Sequence, residues 1–377
     1  MAEKVIVVSI RESAVVRPAE ESTTPQGSLW FSNSDLAFNN YHASAVYFYR
    51  PSASSDLNFF NSGLLNQALS KALLNHHNGR LEIDCNSQGV LFAVEESNCA
   101  LDDFGDFAPT SDFRTLIPAV DYSGGISSYP ILVLQTLLRA RNPPQPTFPR
   151  IEYQPSPQMK LPCHHLKNIN TIASIFRFTR EQLNILKANS FEMLAGHIWR
   201  CACKARKLAD DQDTKVLIPI NGRSKLQLPL PPGFFGNVAF RAAPIAAAGD
   251  LIDDDYLKSA LDYLELHRPC ASPLVMGPLS IRCPNLRINS WIRLPIYDAD
   301  FGCGRPIFMG PAALFDGMCL FLPIASNDGN LSFMISLPSE HMKSFSNFLY
   351  DNQGHNFKIA PQIITLFYYM MLFIYLA

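Results

Sequence analysis

The chain has 377 residues, 47% of them hydrophobic and 17% charged, which is more than one ordinary core can use and suits two domains. A formal net charge of −2, with Lys and Arg scattered rather than clustered, leaves no basic surface for a phosphate backbone and argues against a nucleic-acid partner. Nine cysteines at irregular spacings, and an N-terminus too short and charged for a signal peptide, point to a reducing, cytoplasmic setting.

In chain order, residues 44–50 are rich in Val, Tyr and Phe and predict a strand. Leu81, Ile83 and Cys85 alternate with polar neighbours and residues 89–94 continue in that style, so the first third predicts a mixed sheet. Prolines recur at 143, 144, 146, 149, 155 and 157, which excludes regular helix or central strand and marks a linker. Thr179 followed by Gln182 is a capping-box pattern that opens an amphipathic helix through Leu183 and Leu186. Phe191, Leu194, Ala195, Ile198 and Ala202 recur at helical spacing and turn one face of a second helix into the core. Residues 215–220 are apolar enough for an inner strand, a third helix is expected near 256–264, and 287–296 read as extended. A hairpin joins 320–323 to 331–337 through Ser326-Asn327-Asp328-Gly329. Residues 363–377 carry no charge, but fifteen residues fall short of the roughly 20 that span a bilayer, and no membrane partner is expected.

A series of longer stretches carries a resemblance. It begins with Val16-Arg17-Pro18-Ala19-Glu20, Val46-Tyr47-Phe48-Tyr49-Arg50-Pro51 and Gly79-Arg80-Leu81-Glu82-Ile83-Asp84-Cys85-Asn86. It continues with Asp103-Phe104-Gly105-Asp106-Phe107 and Leu116-Ile117-Pro118-Ala119-Val120-Asp121-Tyr122. The second half adds Met193-Leu194-Ala195-Gly196-His197-Ile198-Trp199-Arg200-Cys201, Phe235-Gly236-Asn237 and Asp300-Phe301-Gly302-Cys303-Gly304-Arg305-Pro306. In this order the stretches resemble the hydroxycinnamoyltransferase branch of the BAHD family of plant acyl-CoA-dependent acyltransferases, over nearly the whole chain to Asp351.

The resemblance implies an α/β fold of two similar mixed-sheet domains with flanking helices and a channel between them, as in chloramphenicol acetyltransferase. The expected division is a truncated first domain over 1–155, a crossover linker over 156–178, a second domain over 179–351 and an apolar tail over 352–377 outside the family pattern. It also implies a monomer that uses a hydroxycinnamoyl-CoA as substrate, needs no metal or other cofactor, and acylates a small hydroxyl acceptor such as shikimate or quinate. In the family, a histidine in an H-x-x-x-D motif takes the acceptor's proton while its oxygen attacks the thioester, and positioned dipoles stabilise the oxyanion. The D-F-G-W-G segment, here Asp300, Phe301, Gly302, Cys303 and Gly304, is structural.

The chain departs from that pattern. None of its nine histidines has an aspartate four residues on, so no catalytic residue is assigned. The motif's place follows Ile131-Leu132-Val133-Leu134-Gln135, where the chain passes directly into Thr136-Leu137-Leu138-Arg139, a stretch that lies well downstream in the family. His164-His165-Leu166-Lys167-Asn168 imitates the spacing with Asn in place of Asp and reads as a solvated loop. Residues 73–78 replace an apolar strand, and the step from Gly249-Asp250 to Asp253 skips most of a helix. Clean gaps and a foreign tail point to exon loss with intron read-through, or to a decaying gene copy. The expected function is therefore an acyltransferase by descent, with a catalytically impaired remnant or mis-spliced product as the alternative.

Several single residues admit both a functional and a structural reading. His197, Cys201 and Cys203 look like a metal set, but helix positions two apart face away from each other, and a core helix explains them. Cys303 has no histidine at a recognisable spacing to activate it and reads as a small buried hydrophobe. Gly236 and Asn237 line the CoA channel or only shape a turn, and Arg223 serves CoA phosphates or pairs with Asp300. Tyr47, Asn289 and Trp291 are candidate acceptor contacts, with strand core as the rival for the aromatics. Met276 stands where this branch has the arginine that binds the acceptor carboxylate, and a thioether cannot replace a guanidinium.

Overall fold

The structure is a computed structural model that describes residues 6–17, 28–30, 45–51, 59, 61–72, 82–84, 89–109, 113, 116–117, 140–159, 170–186, 191–223, 225–227, 238–242, 252–267, 281–292, 294–301, 304–323 and 329–351. The Gln135–Thr136 junction, residues 73–78, His164 to Asn168, the Ser326–Asp328 part of the hairpin turn and the tail from 352 lie outside this set.

The second half is organised on one six-stranded sheet. In chain order its strands are β6 (Thr171–Phe178), β7 (Val216–Asn221), β8 (Ala239–Ala242), β9 (Leu286–Ser290), β10 (Phe308–Pro311), β11 (Met318–Phe321) and β12 (Leu331–Pro338). All but β10 join the sheet, in the order β6-β12-β11-β9-β7-β8. β9 runs parallel to β7 and β11, and the remaining pairs are antiparallel. The sheet is therefore mixed, and the 215–220 run is an inner strand as its composition predicts. Gly317, at φ +78°, turns the chain into β11, and a Cβ there would lie 2.0 Å from Ile281 O, so only glycine fits.

The helices of this half are α2 (Arg180–Ile185), α3 (Phe191–Ala205), α4 (Asp254–Leu266) and α5 (Ser339–Tyr350). The predicted capping box forms at α2: Thr179 Oγ1 accepts the Gln182 N–H at 3.2 Å, and Gln182 Oε1 accepts the Thr179 N–H at 2.9 Å. Period-two and period-3.6 apolar positions meet in one core. Leu286 and Ile288 of β9, Cys319 and Phe321 of β11, and Phe333 and Ile335 of β12 face Leu194, Ile198 and Ala202 of α3 and Met342 and Phe345 of α5. A second cluster joins Ile220 and Phe240 to Tyr256, Leu257, Ala260 and Leu264 of α4. A third, on the opposite face of the sheet, contains Leu314, Leu320, Leu322 and Met334, with Trp291 and Phe308 against them.

In the first half the described strands are β1 (Val8–Val16), β2 (Ser28–Trp30), β3 (Ala45–Phe48), β4 (Glu82–Asp84) and β5 (Val90–Ser97), with helix α1 (Ser62–Ala72). They form two-stranded ladders, β1 with β5 and β2 with β4, while β3 crosses to pair with β10. Among described residues this half has nothing like the six-stranded sheet of the other.

The proline-rich segment is extended, with one 3-10 turn over Ile151–Tyr153. Its backbone donors go to α4: Arg141 and Gln145 N–H to the Asp262 carboxylate at 2.7 and 2.9 Å, and Thr147 and Phe148 N–H to Ser259 Oγ at 2.8 and 3.2 Å. Residues 141–148 thus lie on the second half, whereas the sequence reading grouped everything to 155 with the first. Thr171–Phe178, read as linker, is the edge strand β6. Its composition did not signal a strand because its partner, β12, is more than 150 residues downstream.

Candidate functional site

Two structural features meet between the halves. The first is the β3–β10 ladder, in which Tyr47 lies opposite Met309 and the Ile307 N–H donates to Phe48 O at 2.8 Å. The Phe48 ring sits 4.9 to 6.2 Å from those of Phe104, Phe107, Phe113 and Phe308, so the contact between halves is apolar and aromatic. Tyr47 stacks on Tyr49 at 6.3 Å and meets Phe301 edge-on at 6.4 Å. The Tyr49 hydroxyl donates to Ala299 O at 2.8 Å. Burial raises the pKa of the half-buried Tyr47 phenol, which keeps it a neutral hydroxyl.

These contacts hold the Asp300 loop against β3. Asp300 Oδ1 accepts the Gly304 N–H at 3.0 Å, which closes the loop on itself, and Gly304 has φ +81°. Gly302 and Cys303 lie outside the described residues, as do Met276, Gly236 and Asn237. An exposed Arg305–Asp298 pair at 3.3 Å adds little, since solvent screens it.

The second feature is one face of β9. Because strand side chains alternate, Leu286 and Ile288 enter the core under the helices, and Arg287, Asn289 and Trp291 take the opposite face, that of Leu320 and Met334. This face looks toward the first half, because Phe308 of the β3–β10 ladder belongs to the same cluster. Trp291 is both partly exposed and packed on that cluster, so the core and lining readings apply to it together. Asn289 Oδ1 is buried without a hydrogen-bond partner. Arg223 follows the carboxyl end of β7, where its guanidinium and its own N–H meet Asn221 Oδ1 at 3.5 and 3.0 Å. Since β7 and β9 are parallel, Arg223 and Trp291 lie at the same end of the sheet. Carboxyl ends of parallel strands are where open α/β sheets place their ligands.

The helix α3 residues do not belong to this site. His197 Nε2 donates to Leu349 O at 3.0 Å and the Cys201 thiol to Phe348 O at 3.4 Å, so both satisfy the last carbonyls of α5. Burial pushes the Cys201 thiol up to about 12, which leaves it unreactive. Cys99, Cys201, Cys203, Cys283 and Cys319 are free thiols. Among the described residues no group of three or more His, Cys, Asp or Glu has the geometry to hold a metal.

Sequence reasoning missed a buried polar knot under α4. Arg150 and Glu152 are fully buried and paired at 3.1 Å, the Arg150 guanidinium also donates to Tyr256 O and lies 4.1 Å over the Tyr256 ring, and Tyr256 donates to Glu152 at 3.3 Å. Lys215 Nζ donates to Gln154 O at 2.9 Å, and burial lowers its pKa to about 8. No spacing rule signals such a knot, because its members are up to about a hundred residues apart and only the tertiary fold joins them.

Comparison with known proteins matches residues 6–139, 136–255 and 246–351 to the model of the Transferase family. The chain is 45% identical to shikimate O-hydroxycinnamoyltransferase of Nicotiana tabacum, over 91% of the chain and 99% of the relative. It is 40% identical to a hydroxycinnamoyltransferase of Narcissus pseudonarcissus, over 92% and 100%. In structure it is similar to vinorine synthase, at 17% identity and a TM-score of 0.57, with 90% of this chain and 96% of that one covered, a likeness of fold. The match to the tobacco protein extends over 437 positions, more than the 377 residues of the chain. At least 60 positions of the relative therefore have no counterpart here. The seams between the matched pieces, near 136–139 and 246–255, fall at the junctions after Gln135 and Gly249.

Proposed function

The chain belongs to the Transferase family, the acyltransferase family its sequence resembles, and on that premise we propose that it is built to pass a hydroxycinnamoyl group from a CoA thioester to a hydroxyl acceptor such as shikimate or quinate, with the chemical step impaired. The acceptor oxygen would attack the thioester carbonyl, its proton would leave for a base, and the CoA thiolate would depart. One observation supports the reading: Asn289 and Trp291 share the sheet face turned toward the Tyr47–Phe301 contact of the first half, an arrangement suited to the wall of an acceptor channel, while no histidine stands in an H-x-x-x-D motif.

The impairment has a magnitude. A positioned general base contributes typically about 10²- to 10⁴-fold, and the same gap removes the loop that would position the acceptor, so turnover is expected to fall by at least that factor. The assay is release of CoA from a hydroxycinnamoyl-CoA by the purified full chain, with shikimate or quinate as acceptor. A rate within about tenfold of an intact relative would sink the claim of impairment. We further assign the chain a truncated first domain, a second domain ending at Asp351, a monomeric state and a cytoplasmic location.

A further inference from the structure

Three aliphatic side chains of the first half stand in water on one face of the β1–β5 ladder. Residues directly opposite each other in a ladder share a face, and faces alternate along each strand. Val15 is opposite Leu91 and Ser13 opposite Ala93, so strict alternation would bring Arg11 to that face next and turn Ile10 away. The register instead shifts between Ile10 and Glu12, which sets Ile10 opposite Glu95. Since Leu91, Ala93 and Glu95 are two apart, the bulge brings Ile10 onto the face of Val15 and Leu91. Ile10 is 65% exposed, Val15 56% and Leu91 51%, and none of them belongs to the three hydrophobic clusters described above. The other face is the inward one, with Val16 buried and Phe92 and Val94 half-buried. A ladder of two strands needs a further layer for stability, and a contiguous apolar face of this kind is one that a partner covers.

We propose that residues 359–377 of the same chain fold back over the first half and cover the Ile10–Val15–Leu91 face. The family match ends at 351, so this run is an addition to the family pattern. It carries no charge and is rich in Ile, Leu, Phe and Tyr, a composition that water disfavours and an apolar face accepts. Its length suits a protein surface better than a bilayer: Pro361 and Gln362 leave only residues 363–377 beyond them, short of the roughly 20 that span a membrane. Its reach is sufficient as well. Residues 351–358 bridge it to Tyr350 at the end of α5, and a bridge of that length extends to about 27 Å, more than the radius of gyration of about 21 Å expected for a chain of this size. Glu95 is the one charged residue on the ladder face between Ile10 and Val15, and an uncharged occupant adds no unpaired charge of its own beside it.

The test is photocrosslinking of the full chain, which needs no turnover. Phe367 is replaced by the photoreactive benzoylphenylalanine, and the adducts formed on irradiating dilute protein are mapped by mass spectrometry. Adducts within one chain on residues 7–16 or 90–97 are expected. V15K combined with L91K places two cations on a face already in water. It is expected to lower the yield of those adducts about tenfold or more and to speed chymotryptic cleavage after Tyr368 and Tyr369 by a similar factor, since cleavage follows the undocked population. Adducts confined to other parts of the chain overturn the proposal, as does the absence of any adduct. Adducts between two chains overturn it by placing the run on a second copy, and flotation with phosphatidylcholine vesicles without an adduct on the ladder overturns it in favour of a lipid surface. An unchanged yield in V15K/L91K overturns it too, and should that variant not fold, the adduct map of the chain without those lysines decides alone.

Discussion

At the scale of single residues, burial decides what each polar group is for. His197 is 3% exposed, and because a carbonyl only accepts, its Nε2 carries the proton that reaches Leu349 O while Nδ1 faces the Arg200 guanidinium at 3.4 Å. Desolvation first, and then the cations of Arg200 and Lys204, lower its pKa below the ordinary 6.5, against the raising effect of the Leu349 bond. The sign follows directly. The unfolded chain takes up this proton at a higher pH than the folded one, so stability drops as pH falls below about 6.5 and levels off under the folded pKa. H197Q keeps a donor for Leu349 O but cannot titrate. Denaturant unfolding at pH 7.5 and 5.5 is expected to show a smaller acid loss for H197Q than for the wild type, and equal losses would show that His197 contributes nothing to acid sensitivity. The candidate site residues follow the same rule: Asn289 was legible as a candidate from the family pattern, but that its side-chain oxygen is buried without a partner is a fact of the folded sheet alone.

At the scale of elements, propensity and period settled most helices and inner strands, and failed where a segment borrows its hydrogen bonds from far away. The α2 capping box, the α3 stripe and β7 are local patterns that need no partner to be recognised. The strap over 141–148 is the contrary case. Its prolines forbid secondary structure, so its N–H groups must find side chains, and Ser259 Oγ supplies two of them. S259A leaves both donors unpaired in a buried setting and is expected to destabilise the chain by about 2 kcal/mol. Urea unfolding measures this, and a loss under about 0.5 kcal/mol would show that water replaces the hydroxyl. β6 and β10 were not anticipated because edge and crossover strands are defined by pairing with β12 and β3 rather than by composition.

At the scale of the whole molecule, the gaps and the architecture agree. The seam near 136–139 lies directly before the strap that zips onto α4, and among the described residues the second half has a six-stranded sheet and three hydrophobic clusters. The first half contributes two-stranded ladders and the β3–β10 crossing among its described residues. With the larger loss expected at the first seam and the second-half clusters packed, function is expected to fail through missing parts rather than through general unfolding. Inserting between Gln135 and Thr136 the segment that an intact relative has there, with its H-x-x-x-D loop, is therefore expected to raise CoA-release turnover by about 10²-fold or more. No gain with a folded product would place the defect instead at the Gly249 seam or in the Asp300 loop, where Cys303 replaces the family tryptophan.

The sequence by itself determined the family, the absence of an H-x-x-x-D motif and the position of the gaps, because motif order and spacing are properties of the linear chain. It also determined the helices and inner strands whose periodicity is local. Tertiary structure alone decided that Thr171–Phe178 is a sheet edge, that the proline segment belongs to the second half, that His197 and Cys201 cap α5, and that Arg287, Asn289 and Trp291 share the face between the halves. Those facts depend on which distant residues exclude water from one another, and burial of that kind exists only once the chain has folded.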